Sequence, residues 1–68
     1  MKVKYFSVTD TAHIEFTDKD VDETREISEN IYIDLDPAGN LVSMTIEHAK
    51  ANSELWEFSY QEMSRQSA

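Results

Sequence analysis

The chain has 68 residues with no cysteine, one glycine and one proline, and its 14 acids against 6 Lys and Arg give a net charge of −8. One small domain without disulfides or thiolate metal sites follows, and at this size only roughly 60% of the unfolded surface is buried, so oligomerisation, a dimer first, is the expected way to cover apolar surface. The scarcity of Lys and Arg argues against direct nucleic-acid binding. There is also no apolar run long enough for a membrane span.

In chain order, Lys2 to Phe6 reads as a strand with Val3 and Tyr5 on one face and Lys2 and Lys4 on the other. Ser7 to Thr11 has turn chemistry, and Ala12 to Thr17 follows as a second strand with Ala12, Ile14 and Phe16 opposite His13 and Glu15. Pairing Tyr5 with Ala12 sets Val3 on Ile14, which makes one hairpin. Asp18 to Glu23 is a charged connection, Thr24 to Ile27 resumes extended structure, and Ser28-Glu29-Asn30 reads as a kink or bulge.

The strongest signal is Ile31 to Glu47. Ile31, Ile33 and Leu35 alternate with Tyr32, Asp34 and Asp36, and Val42, Met44 and Ile46 alternate with Ser43, Thr45 and Glu47, across the turn Pro37-Ala38-Gly39-Asn40. A four-residue loop sets Leu35 on Val42, Ile33 on Met44 and Ile31 on Ile46. A three-residue loop would slip every apolar side chain to the wrong face. Beyond it, Asn52 or Ser53 can cap a helix in which Leu55, Trp56, Phe58, Tyr60 and Met63 form an apolar stripe, although Trp56, Phe58 and Tyr60 also alternate as in a strand. Length favours the helix. The expected architecture is α+β: a four-stranded antiparallel β-meander of two hairpins, residues 1–49, packed against one C-terminal helix, residues 50–66.

Residues 18–36 hold eight of the acids, Asp18, Asp20, Asp22, Glu23, Glu26, Glu29, Asp34 and Asp36, against Lys19 and Arg25, so this stretch supplies −6 of the −8. Asp18, Asp20, Asp22 and Glu29 have the one, three, five and twelve spacing of a calcium-binding EF-hand loop, but Glu23 stands where that loop requires glycine and the flanks read as strands, so a solvated acidic loop is the better reading. Asp34-Leu35-Asp36 is explained by strand alternation, with Asp36 placed to cap the turn. His13, beside Glu15, and His48 lie on different segments, and no serine sits in a nucleophile motif. No catalytic residue and no cofactor is expected. The aromatic tail, Leu55, Trp56, Phe58, Tyr60 and Met63, is expected to pack on the sheet and in part to reach a partner subunit.

Met1-Lys2-Val3-Lys4-Tyr5, Asp10-Thr11-Ala12 leading into His13-Ile14-Glu15-Phe16, and Ile31 to Ile46 with Asp34, Asp36 and Gly39 resemble domain-of-unknown-function family 2283, a family of small bacterial and archaeal proteins. The resemblance covers about residues 1–49 and leaves out the Trp-containing tail. It implies a small β-sheet domain with a C-terminal segment and transfers no catalytic residues. Three functions fit these features. The first is a cytoplasmic, non-enzymatic interaction module, antitoxin- or inhibitor-like, that turns an acidic face (Asp18, Asp20, Asp22, Glu23, Glu26, Asp34, Asp36) to a basic protein. The second is a ligand-binding protein or enzyme whose site forms at an oligomer interface from His13, Glu15 or His48. The third is a nucleic-acid-mimicking inhibitor.

Overall fold

The computed structural model describes residues 1–53 and 57–64. Five strands and one short helix follow in order: β1 Lys2–Phe6, β2 Thr11–Glu15, β3 Glu23–Ser28, β4 Ile31–Leu35, β5 Leu41–Glu47 and α1 Ala49–Asn52. All five strands lie antiparallel in one sheet, in the spatial order β1-β2-β5-β4-β3.

The expected four-stranded meander is therefore corrected. Residues 23–28 complete a fifth strand on the outside of β4, and the two hairpins join through β2 and β5 rather than through neighbours in sequence. Joining them there sets Ala12 opposite Ile46 and Ile14 opposite Met44, which merges two small apolar faces into one. Within the hairpins the expected register holds: Val3 pairs with Ile14, Tyr5 with Ala12, Ile33 with Met44 and Ile31 with Ile46. It fails beside the turn, and the expected four-residue loop is corrected: Asp36 closes on Asn40, Leu35 pairs with Leu41 instead of Val42, and an irregularity after Asp34 absorbs the slip so that the apolar faces still match. A second irregularity, between Glu26 and Ser28, leaves Ile27 out of the ladder and 57% exposed.

Because register partners share a face, the pairing defines two rows on each side of the sheet. Val3, Ile14, Met44, Ile33 and Arg25 form one row, and Tyr5, Ala12, Ile46, Ile31 and Ser28 the next. The opposite face has the rows Lys2, Glu15, Ser43, Asp34 and Thr24, and Lys4, His13, Thr45, Tyr32 and Glu26. Alternation thus produces one apolar and one polar face, as the sequence pattern requires.

The C-terminal helix expected over residues 50–66 is also corrected: α1 is one turn. Asn52 Nδ2 donates to the His48 carbonyl at 2.9 Å and Ser53 Oγ to the Ala49 carbonyl at 2.7 Å, while Ser53 itself is extended. These side chains satisfy the carbonyls that a continuing helix would have used, so Asn52 and Ser53 end a helix instead of beginning one. Residues 57–64 form neither helix nor strand. Phe58, Tyr60 and Met63 are exposed; Leu55, Trp56 and the last residues of the expected helix, 65 and 66, lie outside the described residues. No helix among the described residues is long and apolar enough to cross a membrane.

Among the described residues the sheet has little interior. The buried apolar residues are Ala12, Leu35, Val42 and Ala49, and no large side chain is fully buried among the described residues. Ile14, Ile31, Ile33, Met44 and Ile46 are half-buried although they sit on the inner strands.

Candidate functional site

Charge is the feature that composition singles out, and the sheet sorts the acids into two groups. Asp34 and Asp36 belong to the scaffold. Asp34 accepts hydrogen bonds at 2.6 Å from both Ser43 Oγ and Thr24 Oγ1, which ties three strands together across the polar face. Burial pushes its carboxyl up, but the hydroxyls of Ser43 and Thr24, with His13 nearby, outweigh that effect and hold it below its ordinary range. Asp36 is 6% exposed, and its Oδ1 accepts the backbone N–H groups of Ala38 at 3.0 Å and Asn40 at 2.8 Å. The Asn40 amide is the main cause of its lowered pKa. Asp36 also closes the turn through its main chain, with its N–H on the Asn40 carbonyl and its carbonyl on the Gly39 N–H, while Gly39 takes the left-handed φ of 85° that this turn requires.

The capping role expected for Asp36 is thus present, and Asp34 and Asp36, both expected in the acidic partner face, are engaged within the sheet and its turn. Asp18, Asp20, Asp22, Glu23 and Glu26 remain exposed. Asp18, Asp20 and Asp22 lie on the connection that enters β3, which is anchored by the Asp22 N–H on the Leu35 carbonyl at 2.7 Å. Glu23 and Arg25 pair at 2.8 Å, the Arg25 guanidinium holding the Glu23 carboxyl below its ordinary value. Every residue of β3 is exposed and the strand is an edge of the sheet. Acids and an open strand edge therefore coincide.

The EF-hand-like set does not converge. Glu29 lies in the β3–β4 turn, past the six residues of β3 from Asp22, and an extended strand of that length spans roughly 20 Å. Around the first histidine the polar face is better organised: His13 Nδ1 is 3.1 Å from Thr45 Oγ1 and its Nε2 is 4.0 Å from Glu15, whose carboxylate pairs with Lys4 Nζ at 2.9 Å. Lys4 is the principal cause of the lowered Glu15 pKa. His48 does not join this group. It stands before α1 with φ 54°, its ring hydrogen-bonded to Asn30. A shallow open cleft of about 260 Å³ beside Glu15, lined by Met1, Lys2, Phe16, Thr17 and Asp18, faces solvent.

Sequence reasoning missed Asp10. It takes φ 53°, accepts the Tyr5 hydroxyl at 2.7 Å and the Lys50 backbone N–H at 3.0 Å on Oδ1, and offers its carbonyl to the Ala49 N–H at 2.8 Å. The Tyr5 hydroxyl is the main reason that its carboxyl ionises below the ordinary value. The only local signal was an Asp in a turn, a residue type that tolerates the left-handed region.

Five carboxylates, Asp10, Glu15, Glu23, Asp34 and Asp36, thus have lowered folded-state pKa values. A depressed pKa contributes stability that is present above the unfolded value and lost as pH falls through the folded one. Urea midpoints are accordingly expected to be flat between about pH 5 and 7 and to drop steeply below about pH 4. Midpoints unchanged down to pH 2.5 would refute these networks.

Compared with known proteins, residues 2–50 match the model of a family described as "Protein of unknown function (DUF2283)". The matched segment holds all five strands and ends within α1. No curated protein and no solved structure matches.

Proposed function

The chain belongs to the DUF2283 family, and from that premise we propose that it is a non-enzymatic interaction module that receives a basic, extended segment of a protein partner on its acidic edge, in the manner of an antitoxin or inhibitor. The observation that carries this reading is the coincidence at β3 of a wholly exposed edge strand with Asp18, Asp20 and Asp22 on its approach and Glu26 on its polar side. An open edge offers backbone N–H and C=O groups to an added strand, so main-chain hydrogen bonds supply affinity and the surrounding charge selects the partner. Charge also speeds the encounter, because a chain at −8 attracts a basic segment over roughly 8–10 Å at ordinary salt. The two ion-paired or hydroxyl-bound acids of this region, Glu23 and Asp34, contribute less, since their charges are already engaged.

The test is a titration with a lysine-rich extended peptide at 50 and 300 mM NaCl. Affinity is expected to fall at least about tenfold between the two salts, and again at least about tenfold when Asp18, Asp20 and Asp22 are replaced together by Asn. Binding that ignores salt, or that survives the triple substitution, would remove the acidic edge as the recognition element.

A further inference from the structure

We infer that α1 is a latch on the end of the sheet, held shut by the Asp10 carboxylate, and that it opens about His48 as a unit while the five strands stay paired. A helix of one turn, Ala49–Asn52, is not stable by itself, because nucleation costs more than so few main-chain bonds return. His48, the residue before it, supplies no side-chain cap. The start of a helix leaves its first amides without partners, and here one residue, 40 positions before Lys50, takes three of them. The Asp10 carbonyl accepts the Ala49 N–H at 2.8 Å, its Oδ1 accepts the Lys50 N–H at 3.0 Å, and the Ala51 N–H hydrogen-bonds to the same side chain. Asp10 is thus the cap that α1 lacks in its own sequence.

His48 is the turning point. Up to it the chain is tied to the sheet, with the Glu47 N–H on the Asn30 carbonyl at 2.8 Å and the His48 ring 3.2 Å from Asn30 Oδ1. Its φ of 54° then turns the chain out of β5 and into α1, which is held toward the first hairpin by Asp10 and by Lys50 Nζ, 4.8 Å above the Tyr5 ring. The strand pairs closest to the latch, Phe6 with Thr11 and Thr11 with Glu47, include neither Asp10 nor any residue of α1, so opening the latch leaves the ladder intact. Ala49 is the buried residue of α1, and one methyl group contributes little, so the contacts to Asp10 decide whether the latch is shut.

Those contacts depend on charge, since an ionised acceptor forms about twice as strong a bond as a neutral one. The titratable groups around Asp10 are Tyr5 from β1, His48 from the junction and Lys50 from α1. The Tyr5 hydroxyl, ahead of the Lys50 amide, holds the Asp10 carboxyl below its ordinary value, and His48 acts in the same direction. A depressed folded value stabilises the shut state above the ordinary carboxylate range, and that stability is lost as pH falls through it, so the latch opens below about pH 4.

NMR of the full chain from pH 7 to 2.5 reads the latch directly. The Ala49, Lys50 and Ala51 amide signals are expected to move to random-coil positions along the titration of the Asp10 carboxyl, while the amides of β4 and β5 keep their native shifts. In Asp10→Asn, whose neutral acceptor does not titrate, the α1 signals are expected to stay in place over the same range. Signals of α1 that ignore the Asp10 titration overturn the inference. Because general acid unfolding could mask the opening, hydrogen exchange of the unsubstituted chain at pH 6 in 0 to 1 M urea supplies a second readout. Lys50 and Ala51 are expected to exchange at least about tenfold faster than the slowest sheet amides, at rates that urea leaves unchanged, because opening one turn exposes little surface. Exchange of α1 and the sheet at one rate with one urea slope would mean that they open together and that α1 is no latch. Neither readout touches the acidic edge, so the outcome is independent of the peptide titration.

Discussion

Asp36→Ala is expected to lower the folded-to-unfolded ratio roughly a hundredfold, since two backbone amides lose an ionised acceptor and each charge-assisted bond is worth about a factor of ten or more. The amides of Ala38 and Asn40 converge on one atom, Asp36 Oδ1, inside a turn that the same residue closes through its own N–H and carbonyl. The position is 6% exposed, so water replaces the lost acceptor poorly. Asp36→Asn retains a neutral oxygen at Oδ1 and is expected to lower the ratio only about tenfold. Urea denaturation followed by circular dichroism would show both, with midpoints ordered Asp, Asn, Ala and slopes unchanged. An alanine variant as stable as the parent would mean that the turn is held by Gly39 and its backbone alone.

Asp10→Ala is expected to have the second largest effect, and a local one. Asp10 is the link between the β1–β2 turn and α1: it holds the Tyr5 hydroxyl, the Lys50 amide and, by its carbonyl, the Ala49 amide. Alanine at φ 53° adds left-handed strain to the lost acceptor. A tenfold or greater drop in the folded-to-unfolded ratio follows. Hydrogen exchange separates the causes: amide protection at Lys50 should vanish in Asp10→Ala and in Asp10→Gly, but survive in Asp10→Asn, which keeps an acceptor and tolerates the backbone angle. Equal protection in all three would make the side-chain link to α1 irrelevant.

The parts of this fold that could be read from the sequence are those decided within a dozen residues. Alternation at Ile31, Ile33, Met44 and Ile46 left one register in which both arms share an apolar face, and the structure has it, although it reaches that register with Asp36 closed on Asn40 and an irregularity beside Leu35 rather than with the expected four-residue turn. The pairing of β2 with β5 was not legible, because neighbours such as His13 and Thr45 stand 32 residues apart and alternation is silent about which strand edges meet. The tail misled for another reason. Helices draw most of their stability from burying a stripe, and with Asn52 and Ser53 capping the end of α1 the side chains of Phe58, Tyr60 and Met63 stay exposed. Of the proposed acidic face, Asp18, Asp20, Asp22, Glu23 and Glu26 are where composition put them, on the surface. That Asp34 and Asp36 are engaged inside the fold was not legible, because an acid that satisfies Ser43, Thr24 or a turn has the same letter as one that does not.

The strand order also dictates a sequence of events in time. β1 with β2, and β3 with β4 and β5, are zipped by turns of a few residues, whereas the seam between β2 and β5 closes a long loop and forfeits the chain entropy of everything between. The two hairpin units are therefore the early, fast-forming pieces, and their docking along Ala12, Ile14, Met44 and Ile46 is the slow collective step. Conservative truncations in this seam should accordingly slow folding most if docking is the barrier. Trimming Ile33 on the far side of β5 should instead be felt mainly as faster unfolding.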